Sequence, residues 1–421
     1  MHTHIIKEFM KQLPLIDPRI EAVINHETTR QTTTLNLIAS ENYVSSAVLE
    51  ALSSVLTNKY AEGYPNKRYY SGCRYVDEAE LIAQERCKSL FGADHANVQP
   101  HAGSPANLAV YFSVLKPGDT ILGMSLAEGG HLTHGHSVNF SGTIYKSIFY
   151  TVNRDSQELD YDEITKQAYL NKPKLIIAGA SAYSKTIDFK RFASIAQEVG
   201  AYFMADIAHI AGLIATGLHP SPVGYADFIT STTHKTLRGP RGGLIMCKKE
   251  YKELIDRAIM PGIQGGPFMN VIAAKAVTFH LAQQIEFKTY QQQVIANARR
   301  MACILQERGY TIVAGGTDNH LFIIDLRNKN ITGKEAEIAL EKAGITVSRS
   351  CIPFDPAKPW ITSGIRIGTP AITTRGMKAG MMGTIVDWID HALQNAHDNA
   401  LLQKIEKEVA TACAEFPLYA P

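Results

Sequence analysis

Neither sign of charge prevails in this sequence. Its 421 residues hold 42 lysines and arginines against 40 aspartates and glutamates. A net charge of +2 leaves no broad basic field for a nucleic-acid backbone. No stretch interleaves basic and aromatic residues as a nucleic-acid surface does. The cysteines (Cys73, Cys87, Cys247, Cys303, Cys351 and Cys413) include no C-x-x-C pair, which argues against a zinc site or a redox motif. They read as free thiols of a reducing cytosol. No run approaches the ~20 apolar residues of a spanning helix. Residues 1–11 are polar and lack the apolar core of a secretory signal. Internal repeats and low-complexity segments are absent, and no G-x-G-x-x-G follows the early strands. These absences predict a cytoplasmic protein with no metal, membrane or nucleic-acid partner.

What is present is ordinary globular composition, 45% hydrophobic and 19% charged, at a length that suits two to three folding units. Residues 1–30 read as a polar helical arm, with Pro18 in a first helical turn. From about residue 76 helices and strands alternate. Glu78–Phe91, Pro105–Leu115 and Phe189–Val199 read as helices, closed by Gly92, by Pro117-Gly118 and by Gly200. Ala96–Gln99, Thr120–Met124, Lys174–Ala178, Ala201–Asp206, Phe228–Ser231 and Gly243–Lys248 read as strands. Short connectors between such elements predict a mostly parallel sheet covered by helices. The apolar runs "KLIIAGA" and "AYFMADIA" suit strands buried on both faces. Ile272–Leu305 lacks proline and glycine and reads as one long helix joining a large domain to a smaller one. Beyond it come strands at His320–Arg327, "ITVSR" and "GIRIG", a helix at Lys334–Ala343, and a C-terminal helix.

In a parallel sheet, ligands bind beyond the carboxyl ends of the strands, and three groups fall there. Asp206 and His209 follow one strand. His234 and Lys235 follow another, within "TSTTHKTLRGPRGG" (Thr230–Gly243). Gly103 and Ser104 open a helix in "GSPAN". A lysine amine can condense with an aldehyde and exchange it for a substrate amine. A carboxylate can keep a pyridinium nitrogen protonated. The free N–H groups of a helix start can cradle a phosphate. Each piece alone has an ordinary explanation, such as an N-cap for Gly-Ser. Their order on successive units of one sheet is the specific signal, and it points to pyridoxal phosphate.

The motifs "LNLIASENY" (Leu35–Tyr43), "LTNKYAEGYPNKRYYSGC" (Leu56–Cys73), "HLTHG" (His131–Gly135), "VNFSG" (Val138–Gly142), "DIAHIAGL" (Asp206–Leu213), "TTHKTLRGPRGG" (Thr232–Gly243), "QGGP" (Gln264–Pro267), "GGTDNHL" (Gly315–Leu321) and "TSGIRIGTPA" (Thr362–Ala371) closely resemble serine hydroxymethyltransferase, in its short bacterial form. The resemblance implies an α/β protein of the aspartate-aminotransferase fold type. Its large domain (31–282) would carry a mostly parallel seven-stranded sheet, and a smaller α+β domain (283–421) would follow. It implies a pyridoxal-phosphate enzyme that interconverts serine plus tetrahydrofolate with glycine plus 5,10-methylenetetrahydrofolate, as a homodimer or a dimer of dimers with shared sites.

Carried over by position, the resemblance implies these roles. Lys235 bears the cofactor, Asp206 pairs with its ring nitrogen, His209 sits near the ring oxygen and His131 stacks on the ring. Ser104 and Gly103 take the phosphate, joined by Tyr60 and Gly266 of the neighbouring subunit. Arg366 and Ser40 bind the substrate carboxylate. Glu62 and Tyr70 come from the neighbour to the hydroxymethyl group, and His234 tunes substrate choice. Leu126, the Gly130–Leu132 backbone (with His131) and Lys358, Pro359 and Trp360 line the folate site. The sequence departs from the family at Ile263, Ser350, Trp360, Ala180 and Glu128, none of them a catalytic position. The alternative is a threonine aldolase-type lyase without folate, which would lack "LTNKYAEGYP" and "GGTDNHL". A nucleotide-binding module without catalysis leaves Lys235 and Arg366 unexplained.

Overall fold

Alternate residues of the central strands face opposite ways, so the sheet packs helices on both faces. The computed structural model describes residues 12–419. Seven strands form the central sheet: β1 (His95–Asn97), β2 (Thr120–Met124), β3 (Lys146–Tyr150), β4 (Leu175–Ala178), β5 (Tyr202–Asp206), β6 (Phe228–Thr232) and β7 (Gly243–Cys247), in the spatial order β1-β7-β6-β5-β4-β2-β3. Leu175, Ile177, Met204, Phe228 and Ile245 pack on one face against α3 (Gly103–Val114). Ile176, Phe203, Ile229, Leu244 and Met246 pack on the other. There they meet α2 (Arg74–Phe91), α4 (Phe189–Val199) and α5 (Met269–Ala282). Gly92 and Gly200 take the left-handed conformation that stops α2 and α4.

Strands β6, β5, β4, β2 and β3 run parallel, but β7 is antiparallel to both β6 and β1. The carboxyl ends of β1, β5 and β6 and the start of β7 therefore share one edge. Strand β3 was not anticipated. At the sheet margin only Tyr150 of its five residues is buried, so its apolar pattern is weak.

The expected single helix over Ile272–Leu305 is two helices, α5 and α6 (Ile285–Glu307), separated at Gln283–Gln284. No proline or glycine breaks the chain there. α5 stays in the large core, whereas α6 begins there with Phe287 and Ile295 and then passes into a second core, where Met301 and Leu305 meet Phe322, Ile324, Ile365 and Ile367. The two packings require a change of direction that local propensity does not encode.

The second core surrounds a four-stranded sheet: β8 (Thr311–Ile312), β9 (Leu321–Asp325), β10 (Ser348–Ser350) and β11 (Gly364–Gly368). It is covered by α7 (Gly333–Lys342), α8 (Ala379–Gln394) and α9 (Asn399–Glu415). The single expected C-terminal helix is thus two long ones. "ITVSR" also divides, its first residues pairing with Leu35–Asn36 and the rest entering β10. The first eleven residues of the expected arm lie outside the described residues. Its described part holds helix α1 (Pro18–Thr33), N-capped by Asp17.

Candidate active site

Lys235 sits three residues beyond β6, in a turn tied down from several sides. The Asn42 amide and the Arg238 N–H both donate to its carbonyl, at 3.0 and 3.1 Å. The Thr236 hydroxyl donates to the His209 carbonyl at 2.9 Å and accepts from Gly212 N–H at 2.9 Å. This stitches the lysine turn to the turn after β5. The Lys235 side chain is buried, and burial lowers its pKa to about 8 against the opposing pull of Asp206.

Asp206 ends β5. Burial by itself would raise its pKa, but the His134 hydrogen bond and the nearby imidazoles and Asn107 outweigh it, and the carboxyl is held below its usual range. His134 Nε2 donates to Asp206 Oδ2 at 3.0 Å, because its Nδ1 faces the His131 N–H. Asn107 donates to the same oxygen at 2.9 Å, and Ala208 N–H to Oδ1 at 3.1 Å.

Burial keeps the neighbouring imidazoles neutral. His131 is lowered to about 4, His234 to about 3 and His209 well below its ordinary value. Behind His209, His320 approaches it ring nitrogen to ring nitrogen at 3.2 Å.

At the same sheet edge α3 begins. No hydrogen bond is made by the Gly103 or Ser104 N–H groups among the described residues, so both are open to an anion. A Cβ on Gly103 would lie 2.8 Å from Thr232 Cγ2, and one on Gly243 would collide with the Ala102 carbonyl. Glycine is therefore required where β6, β7 and the α3 start converge. Arg366 enters from β11. Its Nη1 donates to the Ser181 carbonyl at 2.6 Å, its Nε is buried without a partner, and burial lowers its pKa to about 10.

A single cavity of about 420 Å³ gathers Lys235, Asp206, His131, His209, His234, Gly103, Ser104, Ser40 and Arg366. His134, Asn107, Thr232 and Arg241 line it too, although the sequence reading assigned them no role. His134 and Asn107 stood inside the quoted "HLTHG" and "GSPAN", where only proximity could reveal their bond to Asp206.

Tyr60, Glu62, Tyr70 and Gly266 do not line this cavity. They form a second cluster. The Tyr70 hydroxyl donates to Glu62 Oε2 at 3.3 Å, and the Tyr60 and Tyr70 rings meet edge to face at 5.3 Å. A Cβ on Gly266 would lie 2.9 Å from Tyr60. Tyr60 and Tyr70 are 58% and 47% exposed, so the cluster projects outward.

Leu126, Gly130, Leu132, Lys358, Pro359 and Trp360 also lie outside the cavity lining. Leu126, Leu132 and Trp360 present exposed apolar surface, and the Lys358 ammonium sits 5.3 Å from the Trp360 ring. Glu128 is buried nearby and accepts from the Phe354 N–H at 3.4 Å, tethering the loop that leads to Trp360.

The donor set suits pyridoxal phosphate: an amine of lowered pKa, a carboxylate held ionised, an open helix start and a buried guanidinium. With the mixed sheet and the smaller second unit, these features define a pyridoxal-phosphate enzyme of fold type I. The family model for serine hydroxymethyltransferase matches residues 13–389, and the chain belongs to that family. It is a transferase of one-carbon metabolism that uses pyridoxal phosphate and interconverts serine plus tetrahydrofolate with glycine plus 5,10-methylenetetrahydrofolate. Nothing in the match favours a folate-free lyase. Among the described residues no helix is long and apolar enough to cross a membrane.

Proposed function

We propose that Lys235, Asp206 and Arg366 form the working axis of this enzyme. Their convergence in one cavity carries the reading. When bound, pyridoxal phosphate supplies an electron sink for breaking and making bonds at the amino-acid α-carbon. Lys235 is the amine that holds the cofactor aldehyde, and its lowered pKa makes the reactive neutral form accessible near neutral pH. Asp206 stays ionised and holds the ring nitrogen. Gly103 and Ser104 receive the phosphate at the α3 start.

Arg366 clamps the carboxylate of serine or glycine with its planar fork, assisted by Ser40. His131, His209 and His234 remain neutral, so they add no positive charge to compete for that carboxylate. His131 packs on the ring face, His209 lies by the ring oxygen, and His234 adjusts substrate choice. Leu126, Gly130, Leu132, Lys358, Pro359 and Trp360 receive the folate.

The active form is a homodimer in the cytoplasm. Tyr60, Glu62, Tyr70 and Gly266 of one copy complete the cavity of the other. Tyr60 and Gly266 close over the phosphate, while Glu62, with Tyr70, carries the proton of the substrate hydroxyl. Their exposed cluster, set apart from their own chain's cavity, supports this, as do the exposed apolar residues Val55, Tyr69, Tyr75 and Phe268. The domain division is 1–30, 31–282 and 283–421, with Leu35 and Leu37 lent to the second core.

Borohydride reduction of the cofactor-loaded protein, followed by peptide mapping, tests the axis. The label is expected on Lys235 and absent from Lys235→Ala. A label on any other lysine overturns the assignment.

A further inference from the structure

We propose that Arg68 is a positioning residue for Glu62, and that it thereby serves the partner subunit's site and not the cavity of its own chain. The proposal rests on the shared-site reading above.

A tight hairpin turns the chain so that Arg68 lies opposite Gly63. Its Nη1 donates to the Ala61 carbonyl at 2.9 Å and to the Gly63 carbonyl at 2.8 Å. These are the carbonyls on either side of Glu62. The Glu62 carbonyl itself accepts from Tyr69 N–H at 3.0 Å. Three successive carbonyls are thus pinned, and the backbone that presents the Glu62 carboxyl has little freedom left.

The rest of the guanidinium is anchored to α2. Nε donates to Asp77 Oδ1 at 2.8 Å and Nη2 to Glu80 Oε2 at 2.6 Å. The Arg68 and Glu80 side chains are 3% and 0% exposed. The remaining Glu80 oxygen accepts from the Gln99 amide at 2.9 Å, and that amide also donates to the Gly63 carbonyl at 2.9 Å. Desolvation makes a buried ion pair a weak source of net stability. What this one secures is geometry, through a fork that reaches two carbonyls and two carboxylates at once. Lysine, a single ammonium on a flexible stem, cannot reproduce it. The group it holds is the outward cluster of Glu62 and Tyr70, which does not line the Lys235 cavity.

The test uses R68K and the isosteric E80Q, the second standing in if the first fails to fold. Both are expected to keep borohydride labelling at Lys235. Turnover should fall about 100-fold, as misplacement of a reacting group by ~1 Å does, with KM for serine changed less than ~3-fold because Arg366 is untouched. Hydrogen exchange at the Tyr69 amide should quicken. Mixed dimers, co-expressed with two affinity tags, decide the direction. In an R68K/K235A dimer, the site that retains Lys235 takes Glu62 from the subunit with intact Arg68. It should recover half the wild-type turnover.

A mixed dimer as slow as R68K itself means that Arg68 acts within its own chain, and the proposal fails. Unchanged turnover or unchanged Tyr69 exchange in the variants also overturns it. An E62Q/K235A dimer is the separate control. Without recovery there, the shared-site reading falls.

Discussion

His134 Nε2 and Asn107 Nδ2 meet at a single oxygen, Asp206 Oδ2, at 3.0 and 2.9 Å. Hydrogen bonds to a buried carboxylate hold it ionised against the cost of burial. Removing either donor with His134→Ala or Asn107→Leu leaves the charge under-solvated. Pyridoxal-phosphate affinity of the apo-protein should weaken about tenfold or more, since such bonds are worth ~1.5–3 kcal/mol. Absorbance titration measures it, and equal affinity in both variants would contradict the role given to Asp206.

Arg366 is buried, tethered to the Ser181 carbonyl and left with an unpartnered Nε. Arg366→Lys keeps a positive charge but loses the fork. Serine kcat/KM should drop by roughly 30- to 1000-fold, as when one partner of a buried charged pair is truncated. Steady-state kinetics with serine check this, with cofactor binding as the reference that stays near wild type.

The lowered pKa of Lys235 has a consequence for the apo-protein. The folded amine titrates at about 8, below the 10.5 of an unburied lysine. Between these values the unfolded chain binds the extra proton, so the Lys235 contribution to stability rises with pH across that window. Below it the full penalty applies, on the order of 3 kcal/mol. Apo Lys235→Met should therefore be more stable than wild-type apo-protein at pH 7, with the gap closing by pH ~10.5. Urea midpoints at several pH values measure it. A gap that widens with pH would refute the burial argument.

Lys275 is fully buried, and burial lowers its pKa to about 7. Its ammonium donates to the carbonyls of Val98, Pro100 and Gly243 at 2.7, 3.0 and 2.7 Å. It binds the segment leading to Gly103 onto β7. Lys275→Met removes this donor from all three, and although the Pro100 carbonyl keeps the Gly243 N–H at 3.0 Å, each carbonyl left unsatisfied costs about 1–3 kcal/mol. A lower thermal midpoint and weaker cofactor binding are expected together. A variant as stable as wild type would show that the carbonyls find other partners.

Much of the fold was legible along the chain. β2 (Thr120–Met124), α4 and β11 coincide with their expected spans, and Gly92 and Gly200 end their helices where glycine chemistry demands. What escaped was non-local. Gln283–Gln284 separates two helices without any breaker residue, because α5 stays within the large core while α6 crosses from it into the second. The direction of β7 was equally hidden, since an apolar strand reads the same either way. At the site, Lys235, Asp206 and Arg366 stood out by residue type and place in their motifs. His134 and Asn107 did not, because a hydrogen bond between residues far apart in sequence leaves no local mark.

The amino-acid order alone determined the alternation of elements, the glycines that let β6, β7 and α3 converge, and the family motifs. These depend on backbone sterics and on the period at which side chains repeat, and both act within a few residues. Tertiary structure alone decided which groups share the Lys235 cavity and which charges burial suppresses. It also decided that Tyr60, Glu62 and Tyr70 stand apart from that cavity. Those outcomes depend on distances and desolvation summed over the packed chain, and no stretch of sequence contains that sum.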